Sequence, residues 1–282
     1  LHFRDGAFGE ARPPLEEAVR IGEQLDAHDS VAEALKLLGS VAQNLGDLRA
    51  AEELAQRARA AYQRADDQVG VTNVRSNLAA IYRRTGRIDE AREEYIAVAA
   101  LCRRSGDVWG LAIAENNTGE VLRTAGDPAE AAGHYEEALA IFERIGEPVY
   151  AAAVRMNLGA TRVEAGEPTR GKADLLEALR RMEALGGTKF LPSVHRDLAA
   201  AELALGDLEA ASALAIQALA LAGQAGARQT EAQVQRIQAE IALARGDRDT
   251  ARRLLEESAR CLELLGETAE LRRTQAVFAK LR

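Results

Sequence analysis

The sequence predicts an all-α solenoid of antiparallel helix pairs, and three periodic columns carry that prediction. Gly6, Gly46, Gly86, Gly126, Gly166, Gly206 and Gly246 stand 40 residues apart without a slip, the mark of a tandem array of one structural unit. Five places after each of them comes a small residue: Ala11, Ala51, Ala91, Ala131, Gly171, Ala211 and Ala251. A third small column runs through Gly39, Ala79, Gly119, Gly159, Ala199, Ala239 and Ala279. Small side chains in two facing columns let helices approach to the short end of the usual ~8–10 Å separation.

The elements follow from this frame. In residues 106–145, Ala114, Thr118, Val121 and Leu122 recur at helical spacing up to Gly126, a helix-ending glycine. Asp127 then reads as an N-cap and Pro128 as a first-turn proline. Ala131, Tyr135, Ala138, Leu139 and Phe142 form the apolar stripe of the second helix, which Gly146 closes. The same closure falls at Asp26, Asp66, Gly106, Gly186, Gly226 and Gly266. Six full repeats result, with half-repeats at both ends. Pro13 and Pro14 fall inside the opening second helix, where distortion is expected. Trp109 opens another helix and is expected to fill a gap between repeats, the alternative being an exposed anchor in the groove.

A repeat array adds core layer by layer, so residues 1–282 are expected to form one domain. The chain starts at Leu1 on a stub (Leu1 to Arg4) and ends in a half-unit from Glu267 to Arg282, from which a segment of a longer polypeptide is expected. Thirty-six Lys and Arg against 44 Asp and Glu give a net charge of −8, which argues against nucleic acid as a partner. Only two cysteines occur, Cys102 and Cys261, four repeats apart in helical segments. A reducing, cytoplasmic setting fits them. No apolar run approaches the ~20 residues of a bilayer crossing, so no membrane association is expected.

Leu38-Gly39, Leu78-Ala79 with Tyr82, Ala91 with Tyr95 and Val98, and Ala131 with Tyr135 and Ala138 resemble the tetratricopeptide (TPR) signature over nearly the whole chain. The pattern departs from it in period, 40 residues rather than ~34. Leu35, Arg75, Glu115, Arg155, His195 and Gln235 also replace the leading aromatic. Long-period variants of this kind are similar to the TPR arms of bacterial signal-transduction ATPases of the maltose-activator type, Pins-type scaffolds and kinesin light chains. The resemblance implies a right-handed superhelix whose first helices line a concave groove that holds a peptide, a partner domain or a small inducer.

Packing does not call for an amide every 40 residues, yet Asn77, Asn117 and Asn157 form such a column and Asp197 continues it. The resemblance implies that this column faces the groove, where an amide can clamp the N–H and C=O of an extended peptide. The alternative is that each Asn bonds a neighbouring helix. Ala80, Ala160 and Ala200 leave room beside the column, and Glu120 shares its face. Arg84, with Arg83 and Arg123 nearby, suits an acidic ligand group, and Asn116 and Arg196 flank the column.

Two enzyme-like motifs conflict with the frame. Gly166 to Ala173 matches GxxxxGK, but Ala173 stands where a magnesium-binding Ser or Thr is needed and Gly166 is a loop glycine. His195-Arg196-Asp197-Leu198 copies a kinase catalytic-loop opening, but Glu202 occupies the position of the metal-binding Asn. The four histidines, His2, His28, His134 and His195, show no metal spacing and are expected at the surface or partly packed. The expectation is therefore a non-enzymatic interaction module without cofactor or metal, binding a peptide or partner domain of another chain or of its own polypeptide, in a bacterial signalling or regulatory protein. The alternative is a small-molecule-sensing arm of a signal-transduction ATPase or transcription regulator.

Overall fold

The computed structural model describes residues 8–281, which form fourteen α-helices and one turn of 3-10 helix (Thr188–Phe190). They divide into two compact units, Leu1–Val121 and Leu122–Arg282. Unit 1 contains α1 (Phe8–Gln24), α2 (His28–Asn44), α3 (Leu48–Arg64), α4 (Gln68–Thr85), α5 (Ile88–Ser105) and most of α6 (Val108–Ala125). Unit 2 contains the end of α6, then α7 (Pro128–Arg144), α8 (Pro148–Glu164), α9 (Pro168–Ala184), α10 (Leu191–Leu205), α11 (Leu208–Ala225), α12 (Arg228–Ala244), α13 (Arg248–Leu265) and α14 (Thr268–Ala279). Six two-helix repeats run from α2 to α13, with α1 and α14 as single helices at the ends. The fold is an all-α repeat solenoid.

The periodic glycines end helices for a backbone reason. Gly86 has φ +79°, where a Cβ would be strained, and this turn lets Arg87 N–H donate to Tyr82 O at 2.9 Å. Asp26 and Asp66 do the same work at φ +53° and +57°. Gly6 lies outside the described residues. At the helix starts, the Asp47, Asp67, Asp107, Asp207 and Asp247 carboxylates each accept from a backbone N–H three residues on. Asp127 does not cap with its side chain, contrary to expectation, and neither do Glu147 or Glu167. In all three cases proline follows at the first helical position, and the N-cap φ of −108°, −105° and −111° departs from the −81° to −85° of Asp47, Asp67, Asp207 and Asp247.

In unit 1, Leu15, Val19, Leu35, Leu38, Val74, Leu78 and Ile81 pack against the alanine faces of α3 and α5. In unit 2 the clusters are Leu175, Ala178 and Met182 with Val194, Leu198 and Ala201, then the α11 stripe Ala211, Ala215 and Ala218 with Val234, Ile237 and Ile241. In α3 and α11 alanines meet branched side chains of the neighbouring helices, whereas α9 contributes Leu175 and Met182 to its layer. The α8–α9 seam is tightest, because Gly159 and Gly171 face each other across it.

Three sequence expectations are corrected by this packing. Helix α1 runs unbroken through Pro13 and Pro14, which lie exposed while Ala11, Leu15 and Val19 face the core. Trp109 is 38% exposed rather than sealed between repeats. Among the described residues one helix, α11, is long and apolar enough to cross a membrane by length and composition; its alanine stripe is buried against α10 and α12.

Candidate interaction surfaces

The first helices of the repeats carry different chemistry in the two units. In unit 1 the wall is rich in amides and hydroxyls. Asn77 on α4 is half-buried and lines a crevice with Lys36, Ser40 and Gln43 of α2. Its side-chain amide makes no hydrogen bond among the described residues, so at this position the expected bond to a neighbouring helix is not made. Ser40 Oγ bonds back to Lys36 O at 3.2 Å, and Asn44 Nδ2 bonds to Ser40 O at 2.7 Å. One repeat on, in α6, Asn116 Nδ2 donates to Asn117 Oδ1 at 3.2 Å.

The cation over this wall is Arg83 and not Arg84. Arg83 Nη1 reaches Glu120 Oε1 at 3.0 Å, while Arg84 is exposed at the end of α4. Arg83 occupies the flank of α4 turned toward α6, so it meets the acid of the next repeat. A second opening in unit 1, of about 590 Å³, lies over Val19, Leu35, Leu38 and Leu54, between α1, α2 and α3. Its rim is self-paired, with Arg12 on Glu16 at 2.7 Å and Arg57 on Glu23 at 3.1 Å.

In unit 2 the wall is charged. A cavity of about 260 Å³ is floored by Ala160, Val163, Ala200, Leu203, Ala204 and Ile237. Four arginines (Arg123, Arg196, Arg236, Arg273) and four carboxylates (Glu164, Asp197, Glu240, Glu270) surround it. Arg196 pairs with Asp197 at 2.7 Å and also bonds Gln233. Arg236 reaches Glu270 at 3.3 Å and Glu240 at 3.9 Å. Arg273, on the last helix, reaches Glu270 at 3.1 Å, Glu164 at 3.5 Å and the backbone oxygen of Arg123 at 3.4 Å. Arg123 in turn lies 3.7 Å from Glu164.

The field here separates two acids. Burial raises the Glu270 carboxyl, but Arg236, Arg273, Arg196 and Arg123 outweigh it and hold the group below the usual range. Burial pushes Glu240 up, only partly opposed by Arg236 and Lys280.

Of the residues singled out in the sequence, Arg123, Arg196 and Asp197 meet at this cavity, whereas Asn157 is half-buried on α8 and does not line it. Arg236, Glu240, Glu270, Arg273 and Gln233 were not singled out. Arg236 repeats the position of Arg196 one period later, which was the readable signal.

The two enzyme-like motifs cancel each other in space. Lys172 of the phosphate-loop look-alike pairs with Glu202 of the kinase look-alike at 2.6 Å, and Gly171 packs on Gly159. His195 is buried, not at the surface, with Nδ1 donating to Leu191 O at 2.8 Å. Among the described residues no group of three or more His, Cys, Asp or Glu is arranged to hold a metal.

Helical hairpins in a fixed 40-residue period define an α-helical repeat protein, a fold typical of protein–protein interaction scaffolds. Tetratricopeptide repeat models match residues 1–64, 70–144 and 232–257, and the chain belongs to the tetratricopeptide repeat superfamily. No curated protein sequence matches it.

Among solved structures, it is similar to BtubC (BKLC) from P. vanneervenii, with 26% identity, TM-score 0.66, and coverage of 79% of this chain and 93% of that one. A Rap protein complexed with Competence and Sporulation Factor gives 13% identity, TM-score 0.64, and coverage of 98% and 85%. A signal transduction ATPase with numerous domains carrying a tetratricopeptide repeat sensor, from Pyrococcus horikoshii, gives 16% identity, TM-score 0.67, and coverage of 98% of this chain and 49% of that one. The last two likenesses concern the fold alone.

Proposed function

We propose that the chain is a non-enzymatic interaction module in a cytoplasmic signalling or regulatory protein, and that the amide wall of unit 1 holds an extended protein segment. The observation that carries this is the Asn77 amide, half-buried and without a hydrogen bond among the described residues, in register with Asn117 one repeat on. An amide open to the crevice offers both a donor and an acceptor, which the C=O and N–H of an extended backbone match. The test is Asn77→Ala with Asn117→Ala, measured by fluorescence anisotropy against peptides selected on the wild-type chain. Binding should fall about tenfold or more, with the melting temperature nearly unchanged. A large drop in melting temperature with affinity intact would assign the amides to the fold instead.

A second reading, a small-molecule-sensing arm, is favoured by a separate observation, the arginine-lined cavity of unit 2. The fold likeness to a protein with a tetratricopeptide repeat sensor supports it by analogy only.

A further inference from the structure

The geometry points to the inner cavity of unit 2 as a receptor for one small anion, a carboxylate or phosphate group, gripped by Arg236 and Arg273. This rests on the second reading above and specifies its ligand. Three features of the wall carry it.

First, the guanidinium donors are under-used. Each arginine has five N–H groups, and a well-formed charge-assisted bond to a carboxylate lies at ~2.7–2.9 Å. The pairs Arg236–Glu270, Arg273–Glu164 and Arg236–Glu240 instead lie at 3.3, 3.5 and 3.9 Å. Arg236 Nε is buried without an acceptor among the described residues. A bound oxyanion would supply acceptors where the protein's own carboxylates stand too far off.

Second, the cavity suits a small ligand. Its volume of about 260 Å³ lies just under the ~300–1,000 Å³ typical of drug-sized pockets. Its floor is alanine-rich at Ala160, Ala200 and Ala204, so charged side chains enclose an apolar base.

Third, the enclosure is made by residues far apart in sequence. A solenoid ordinarily makes contacts only between adjacent repeats. Arg273 of α14 nevertheless reaches Glu164, 109 positions earlier, and the Arg123 carbonyl, 150 positions earlier. These contacts place Arg273 beside Glu164 and Arg123 at the cavity of about 260 Å³, a size suited to a compact anion.

The experiment is a thermal-shift and calorimetric titration of the full chain with sodium succinate and with inorganic phosphate, against sodium chloride at matched ionic strength. The expected result is a saturable rise in melting temperature with one or both anions, and the better anion identifies the source of the group. Arg236→Gln should weaken the constant about tenfold or more. Ala200→Leu, which fills the floor without removing a charge, should abolish binding in a folded protein and keeps the test informative if Arg236→Gln unfolds. Binding that is unaffected by both substitutions, or no shift with either anion, would overturn the assignment. A shift with uncharged sugars or nucleosides that Ala200→Leu removes would overturn the anion while leaving the sensing reading in place.

Discussion

Gly171 and Gly133 both lie inside second helices of unit 2, yet replacing each by alanine should move stability in opposite directions. Alanine favours a helix over glycine by about 1 kcal/mol, and that gain is available at both sites. At Gly133 a new Cβ would meet nothing within 4 Å, so the gain is realised in full. At Gly171 the same atom would lie 2.6 Å from the Gly159 carbonyl oxygen, 2.7 Å from Val163 Cγ2 and 3.0 Å from Val163 N.

Two of those three atoms belong to the backbone of α8, so relief requires the helices to move apart, and forced overpacking costs about 1–3 kcal/mol. Because backbone is met, the upper part of that range applies, and subtracting the propensity gain leaves a net loss of about 2 kcal/mol. For a domain of this size each kcal/mol is worth ~2–4 °C. Gly171→Ala should therefore melt about 4–8 °C lower and Gly133→Ala about 2–4 °C higher, followed by far-UV circular dichroism. The pair Ala79 and Ala91 occupies the same two columns in unit 1, where both are fully buried. A Gly171→Ala protein as stable as wild type would show that α8 and α9 are not in backbone contact and would refute the argument.

Two other perturbations probe the charged parts of unit 2. Asp174 is 8% exposed, takes bonds from Arg155 at 3.3 Å and from Arg162, and Asp174→Asn should cost about 2 kcal/mol in urea unfolding. That is less than the ~3–5 kcal/mol for orphaning a buried charge, because Arg155 keeps Glu143 at 2.8 Å and Arg162 keeps Glu136. Glu270 is held below its ordinary 4.5 in the folded chain, so its contribution is present above that value and is lost as pH falls through the folded value. Glu270→Gln should accordingly flatten the acid limb of a melting-temperature profile. Glu240 has the opposite sign: its raised carboxyl favours the fold at low pH, and that contribution is lost as pH rises. Glu240→Gln should raise the melting temperature at neutral pH.

The helix pairs were legible because their determinants are local. Gly86 or Gly206 ends a helix through its own φ, and Ala91 or Ala131 packs where the period puts it. Side-chain detail that depends on a neighbouring element was harder to read. Asp127 resembles Asp47 in sequence, yet its backbone sits at φ −108° rather than −81° and its side chain makes no cap. Arg83 and Arg84 differ by one step around α4, and only the placement of Glu120 shows which is used. The charged cavity was legible only in part, since Arg196 and Asp197 continue a visible column whereas Glu270 and Arg273 sit in the terminal half-repeat. Nothing local indicates that Arg273 will meet Glu164; only the curvature of several stacked helices brings them together.

That long reach changes how unit 2 should come apart. A purely neighbour-to-neighbour stack frays from its tips, and the outermost helix protects its amide hydrogens least. With Arg273 bracing α14 against the carbonyl end of α6, losing the tip also loosens the far side of the same unit. The two ends of unit 2 should then open as a single cooperative event, and severing one side chain would restore fraying from the tip.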